Sequence, residues 1–187
     1  MPSATPPPKH LRDEVQSVLI GETEIAARVR ELAADIERDF AGKDLLAVAL
    51  LTGTVPFLAD LVRHIALPMR LDFMGVSSYG SGTSPGELVY TKELRLEARD
   101  RDVLLVDDIL DTGKTLHAVI DKLKALQPRS LKTCVLLEKK SHRTESVTAD
   151  YVGFEVPDEF VIGYGLDYAE RYRNLPFIGV LKPEVCV

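Results

Sequence analysis

Only two cysteines occur among the 187 residues. Cys134 lies inside the apolar stretch Cys134-Val135-Leu136-Leu137, where a free cysteine is ordinary core, and Cys186 stands near the C-terminal end of the sequence. Such usage excludes a disulfide scaffold and a cysteine-rich metal site, and fits a reducing cytosol. Long apolar runs are also missing: none approaches the ~20 residues that span a bilayer, so no membrane partner is expected. The N-terminal stretch Met1 to Lys9 is rich in proline and lacks the apolar centre of a signal peptide. Residues 1–10 therefore read as a flexible tail and residues 11–187 as a single domain, long enough for a sizeable core. Basic residues are not in excess either. With 29 acids against 23 bases the net charge is −6, and the pI is near 5.3. That excludes a surface built mainly to neutralise nucleic-acid phosphates, but not a local site for a small anion.

What is present is alternation of apolar strands and amphipathic helices. Ile25, Val29, Leu32, Ile36 and Phe40 share one helical face between Thr23 and Phe40, with Glu24 and Arg28 expected to pair on the exposed side. Leu45 to Leu51 is apolar without interruption and reads as a strand buried on both faces. Pro56 suits the first position of a following helix, which turns Phe57, Leu61, Val62 and Ile65 inward. Leu71 to Val76, Val103 to Val106 and Leu131 to Leu137 are further strands. Leu116, Val119, Ile120, Leu123 and Leu126 mark the helix between the last two. The segment Gly80 to Gly86 is rich in glycine and reads as a mobile surface loop. This order predicts an α/β fold, a mostly parallel sheet with helices on both faces, whose ligands bind at the carboxyl ends of strands.

One such end carries unusual chemistry. The strand Val103-Leu104-Leu105-Val106 runs into Asp107-Asp108-Ile109-Leu110-Asp111-Thr112-Gly113-Lys114-Thr115, then a helix. Unpaired amides at a helix start cradle phosphate, Gly113 allows close backbone approach, and Thr112 and Thr115 add hydroxyl donors. A nucleotide-triphosphate loop ends in the same Gly-Lys-Thr, but Asp108 stands where that motif needs its first glycine. Two carboxylates beside a phosphate need sugar hydroxyls or a metal ion to justify them. Phosphate, diol and metal together describe a ribose-5-phosphate site. Capping and solvation would explain one such acid, not three between an apolar strand and Thr-Gly.

Here the sequence resembles the type I phosphoribosyltransferases, whose signature is an apolar strand, two acids, two apolar residues and Asp-Thr-Gly. Leu136 to Lys140, Asp150 to Phe154, Val156 to Val161, Gly163 to Tyr168 and Arg171 to Pro176 are similar to the purine-binding part of bacterial hypoxanthine–guanine phosphoribosyltransferases. From about Val18 the likeness covers nearly the whole chain. It implies a small hood made of N- and C-terminal segments over the sheet. It also implies transfer of the 5-phosphoribosyl group from phosphoribosyl pyrophosphate (PRPP) to hypoxanthine or guanine in the cytoplasm, with Mg2+ as cofactor. Xanthine stays open as a further base, and a homodimer or homotetramer is the expected assembly.

The resemblance also assigns residues. Asp107 and Asp108 hold the ribose hydroxyls, directly or through magnesium, and Asp111 accepts a proton at purine N7. Thr112, Gly113, Lys114 and Thr115 cradle the 5-phosphate. Lys139 donates to purine O6, Phe160 stacks on the ring, the Val161 backbone reads its edge, and Ile109 borders the base. Asp167 lies at the purine site and binds the magnesium of pyrophosphate, while Arg173 and the Thr52-Gly53 loop contact pyrophosphate itself. In this family that loop often holds a cis peptide. Ser78 and Tyr79 mark a lid. The chain departs from the family twice. Thr52 stands where many relatives have lysine, and Asp107 replaces a common glutamate one methylene longer. His64, His117, His142 and Arg143 read as surface residues, the last two as a basic patch of solvated loop or subunit contact. Two rivals of other classes fare worse. A PRPP-sensing regulator of transcription needs a basic face or a DNA-binding helix pair, and a nucleotide kinase needs the missing glycine.

Overall fold

The computed structural model describes residues 7–11, 13–78, 88–141 and 143–185. Tyr79, the Gly80 to Gly86 loop, His142, Cys186 and the first six residues of the tail lie outside them, as does the side chain of Ser78. The elements in chain order are β1 (Val15–Ile20), α1 (Glu22–Asp39), β2 (Leu45–Leu51), α2 (Val55–Arg63), β3 (Met69–Ser78), β4 (Leu88–Lys92) and β5 (Asp102–Leu110). There follow α3 (Lys114–Ala125), β6 (Ser130–Glu138), β7 (Tyr151–Glu155), β8 (Val161–Ile162) and β9 (Ile178–Leu181).

Six strands form the main sheet in the order β4-β3-β2-β5-β6-β7. All its pairings are parallel except β3 with β4. The apolar runs are apolar because both faces are covered. Ala49, Leu104, Val106 and Leu136 pack under α1 and α2 with Ile25, Leu32, Ile36, Phe57 and Leu61. Leu46, Val48, Leu50, Val103, Leu105 and Val135 meet Leu116, Val119 and Leu123 of α3 on the other face. The fully buried Cys134 belongs to the first cluster, and burial pushes its thiol well above the ordinary range. It is inert core.

Two local expectations shift. The helix after β2 begins at Val55, with Pro56 in its first turn rather than opening it, because Thr54 takes the N-cap position. Arg28 turns from Glu24 to Glu31 at 2.7 Å and to the carbonyls of Val152 and Gly153, both at 2.9 Å. An edge strand offers carbonyls that its one neighbour cannot satisfy, and the arginine takes them.

The hood is a separate three-stranded sheet, β1-β9-β8, entirely antiparallel. Val15, Val18, Ile162, Phe177 and Leu181 fill its core. The Tyr164 hydroxyl donates to Asp60 on α2 at 2.6 Å and ties the hood to the main body. Among the described residues no helix is long and apolar enough to cross a membrane.

Asp72 on β3 holds the turn after β4 in place. Its carboxylate accepts from the amides of Phe73, Arg95 and Leu96 at 2.7–2.8 Å and from the Lys92 ammonium at 2.9 Å. Burial opposes ionisation, but these bonds outweigh it and hold the carboxyl down at about 2. Asp72→Ala leaves those amides without an acceptor, each costing ~1–3 kcal/mol, so a loss of about 3 kcal/mol is expected in urea unfolding at pH 7. Because the folded carboxyl titrates below its unfolded value of ~3.9, its contribution is complete above that pH and disappears as pH falls through about 2. The gap between wild type and Asp72→Asn should therefore close over that interval. A gap that widens on acidification would show that the carboxylate is not the stabilising form.

Candidate functional site

Three segments meet at the carboxyl ends of β2, β5 and β6. The first is the acid pair. The strand does not stop at Val106 as the sequence suggests: β5 continues to Leu110, with Asp107 opposite Val135 and Leu110 opposite Glu138 on β6. Both acids are thus strand residues, and their environment is correspondingly dry. Asp107 is 8% exposed. It accepts from the Thr54 hydroxyl at 3.3 Å and from the Asp108 amide at 3.0 Å. Burial, then the neighbouring Asp108 charge, pushes Asp107 well above the usual carboxylate range. Burial also raises Asp108, against the pull of its bond to Asp107, two backbone amides and Arg173. A pair held this way resists carrying two charges until a cation or hydroxyl donors arrive.

The second segment is the turn. Gly113 has φ 88° and caps α3 without a side chain, so apart from the long 3.4 Å bond of the Lys114 amide to the Thr112 hydroxyl the first-turn amides of the helix have no acceptor among the described residues. A Cβ there would sit 3.1 Å from Val147 and 3.3 Å from Arg143, so glycine is required on two counts. The Thr112 carbonyl is engaged by the amides of Thr144 and Glu145 at 2.9 and 3.1 Å, which fixes the turn from behind. Asp107, Asp108, Ile109, Asp111, Thr112, Gly113 and Thr115 line one cavity of about 260 Å³ together with Leu50 and Leu51. Lys114 begins α3 on the exposed side.

The third segment is the loop after β2. The Leu51–Thr52 peptide is cis and Thr52 is exposed. A Cβ on Gly53 would lie 1.8 Å from the Asp108 carboxylate, and one on Gly165 would lie 1.8 Å from the Gly53 carbonyl. Two main chains touch here because neither residue has a side chain. Arg173 donates to the Gly165 carbonyl at 2.9 Å and pairs with Asp167 at 2.9 Å and Glu170 at 3.1 Å. Asp167 also accepts from the Glu170 amide at 2.9 Å. Gly53, Arg173 and Asp167 are therefore linked to the acid pair through backbone contact.

The base-reading candidates lie past the cavity lining. Lys139 follows β6, 8% exposed, and its amide donates to the Leu110 carbonyl at 2.9 Å. No bond or ion pair of its ammonium is found among the described residues. Phe160 is 49% exposed and meets Tyr168 edge-on at 5.4 Å, so an aromatic face is displayed rather than buried. Val161 is buried at the start of β8, paired with Val180.

His117 is half exposed, 3.4 Å from Asp121, and His64 ends α2 at the surface, as expected. Arg143 is different. Rather than belonging to a solvated patch, its side chain is 18% exposed and bonds Asp111, Glu138, Lys139 and Val147. Nothing in a Ser-His-Arg-Thr loop segment announces such a role, because all four acceptors are set by the fold.

Comparison with known proteins agrees with this geometry. A family model of the phosphoribosyl transferase domain matches residues 20–169. A hypoxanthine-guanine phosphoribosyltransferase from Bacillus subtilis is 47% identical over 94% of this chain and 98% of its own length. A bifunctional protein TilS/HprT from Listeria innocua is also 47% identical, but the chain spans only 27% of that protein. Among solved structures, a hypoxanthine phosphoribosyltransferase from Staphylococcus aureus superposes with a TM-score of 0.90 at 42% identity, covering 96% of this chain and 98% of that one. By the extent of these matches the chain belongs to the phosphoribosyltransferase family, among the hypoxanthine-guanine phosphoribosyltransferases.

Proposed function

We propose that the protein transfers the 5-phosphoribosyl group of PRPP to N9 of hypoxanthine and guanine, giving IMP or GMP and pyrophosphate. The observation that carries this reading is the junction of β5 with α3. The start of α3, a dry acid pair and the end of β2 line one cavity, with the Gly53 loop packed against the Asp108 carboxylate. The 5-phosphate is held by the amides from Thr112 to Thr115 and the start of the α3 dipole. Breaking the bond from ribose C1 to pyrophosphate develops positive charge on the sugar, beside the carboxylates of Asp107 and Asp108. The departing negative charge meets Arg173 and the Gly53 loop. Asp111 takes or shares the N7 proton as N9 attacks. Lys139 donates to O6, Phe160 supplies a stacking face, and Val161 and Ile109 border the base. Asp107 spends one oxygen on Thr54, so its shorter side chain also anchors the pyrophosphate loop.

Magnesium belongs to the same reading. A buried pair that resists double ionisation, next to an anionic substrate, is chemistry that suits a hard divalent cation. Among the described residues no three acidic, histidine or cysteine side chains are grouped as metal ligands, so the candidates Asp107, Asp108 and Asp167 do not form an all-protein cage. They fit an ion that arrives on substrate oxygens and takes one or two carboxylates. When bound, it would neutralise charge on the leaving pyrophosphate. Excess chelator is expected to abolish nucleotide formation, and full activity in chelator would remove the metal and the metal role of Asp167.

The same reading implies the cytoplasm and a homodimer or homotetramer, which sedimentation tests directly. For the activity, purified protein with PRPP, magnesium and each of hypoxanthine, guanine, xanthine and adenine should yield nucleotide with the first two. Absence of nucleotide with both would overturn it.

A further inference from the structure

We infer that Arg143 is a positioning residue that sets the distance between Asp111 and Lys139, and through it the preference for 6-oxopurines. The inference rests on the function proposed above. The β5–β6 ladder ends with Leu110 opposite Glu138, and the last backbone bond beyond it joins the Lys139 amide to the Leu110 carbonyl. Past that bond the strands part: Asp111 enters the phosphate turn, and Lys139 enters the loop toward residue 141. No ladder holds the two residues in register there.

Arg143 spans this fork. Its Nε donates to the Asp111 carbonyl at 3.0 Å, and one Nη2 donates to the Lys139 carbonyl at 3.2 Å. The Glu138 carboxylate, 3.0 Å from the same nitrogen, and the Val147 carbonyl, 2.5 Å from Nη1, orient the guanidinium. Four acceptors shared among three guanidinium nitrogens suit the rigid five-donor fork of arginine and not the compact ammonium of lysine. With its side chain only 18% exposed, the group has little solvent to turn to. N7 and O6 are neighbours on one edge of a purine. A base at one and a donor at the other must be correctly spaced to recognise both, and displacements near 1 Å cost ~10²-fold in such sites.

The test is steady-state kinetics with hypoxanthine and with adenine on the full chain, comparing wild type, Arg143→Ala, Arg143→Lys, Lys139→Gln and the double variant Arg143→Lys/Lys139→Gln. Arg143→Lys is read if Arg143→Ala does not fold. Either Arg143 variant should lower kcat/KM for hypoxanthine by about 10–100-fold. The KM for PRPP should stay within about threefold, because the Thr112 carbonyl is held separately by Thr144 and Glu145. The ratio of hypoxanthine to adenine activity should fall about tenfold. In the Lys139→Gln background, Arg143→Lys should not change that ratio further, a non-additivity that general loosening does not produce. An active wild type whose Arg143→Lys variant keeps the base ratio and the hypoxanthine KM overturns this inference alone. A wild type that makes no nucleotide overturns the function reading, and this inference with it.

Discussion

Asp111→Asn lowers turnover by roughly 10²–10⁴-fold while leaving PRPP affinity nearly unchanged. Asparagine keeps the size and the hydrogen-bonding capacity of the side chain but cannot take the N7 proton. The backbone should not move, since the Asp111 carbonyl is fixed by Arg143 and the next carbonyl, that of Thr112, by Thr144 and Glu145. In the proposed binding mode PRPP meets the amides and hydroxyls that follow, which the substitution does not touch. The loss should accordingly appear in kcat with purine and PRPP both saturating, and should be independent of which 6-oxopurine is supplied. Undiminished turnover would take Asp111 out of the mechanism. A loss confined to the KM for PRPP would make it a binding residue instead.

The second large effect is a change of base preference in Lys139→Gln. An ammonium offers three donors and no acceptor, so it matches O6 of hypoxanthine and guanine but faces donors at the 6-amino group of adenine. Lys139 is 8% exposed and its ammonium, without a protein partner among the described residues, still reaches solvent; a purine closing over it would remove that water, and an unmatched donor would then be costly. That cost is ~1–3 kcal/mol for a neutral group and more for a charged one. Sites built on such a contact reject the wrong partner by up to ~10⁴-fold. Wild type is therefore expected to use 6-oxopurines and nearly ignore adenine. Glutamine can turn a carbonyl toward the base, so the variant should lose 6-oxopurine activity and narrow the gap to adenine. A variant with unchanged selectivity, or a wild type that prefers adenine, would refute the assignment.

The parts of this structure legible in the sequence are those whose signal is local. The bounds of β2 are legible because seven apolar residues in a row have one economical explanation, burial on both faces. The helical faces of α1 and α3 follow from spacing, and the Asp-Thr-Gly turn from the chemistry it must perform. β1 was not legible. Its burial runs Val15, Val18 and Ile20 because register shifts interrupt its pairing with β9, and a strand without a period of two gives no strand signal. β8 has two residues and no pattern to read. The extension of β5 through Asp107 and Asp108 was hidden for another reason, since carboxylates are poor strand formers unless a site demands them there. Asp72, Arg28 and Arg143 share a last difficulty. Asp72 and Arg28 bond groups twenty to more than a hundred residues away, and Arg143 joins acceptors within five residues to the Asp111 carbonyl 32 residues back, a convergence that no single-sequence pattern encodes.

The hood has a bearing on how the protein is made. β9 is the middle strand of its sheet, and β1 and β8 each pair only with β9. Val15 therefore waits for Leu181, almost the whole chain later. The strands of the main sheet pair with nothing beyond β7, so that ladder can form while synthesis continues, since chains fold in order as they emerge. Val161 and the Phe160 carbonyl gain their backbone pairing when β9 arrives beside β8. Contacts so distant in sequence are slow to close. Between those two moments β1 carries three apolar side chains and an unpaired edge, the condition in which a nascent chain is exposed to wrong partners. The turn proposed to hold the sugar phosphate thus lies on a ladder that closes early, and the segment proposed to meet the base on one that closes last.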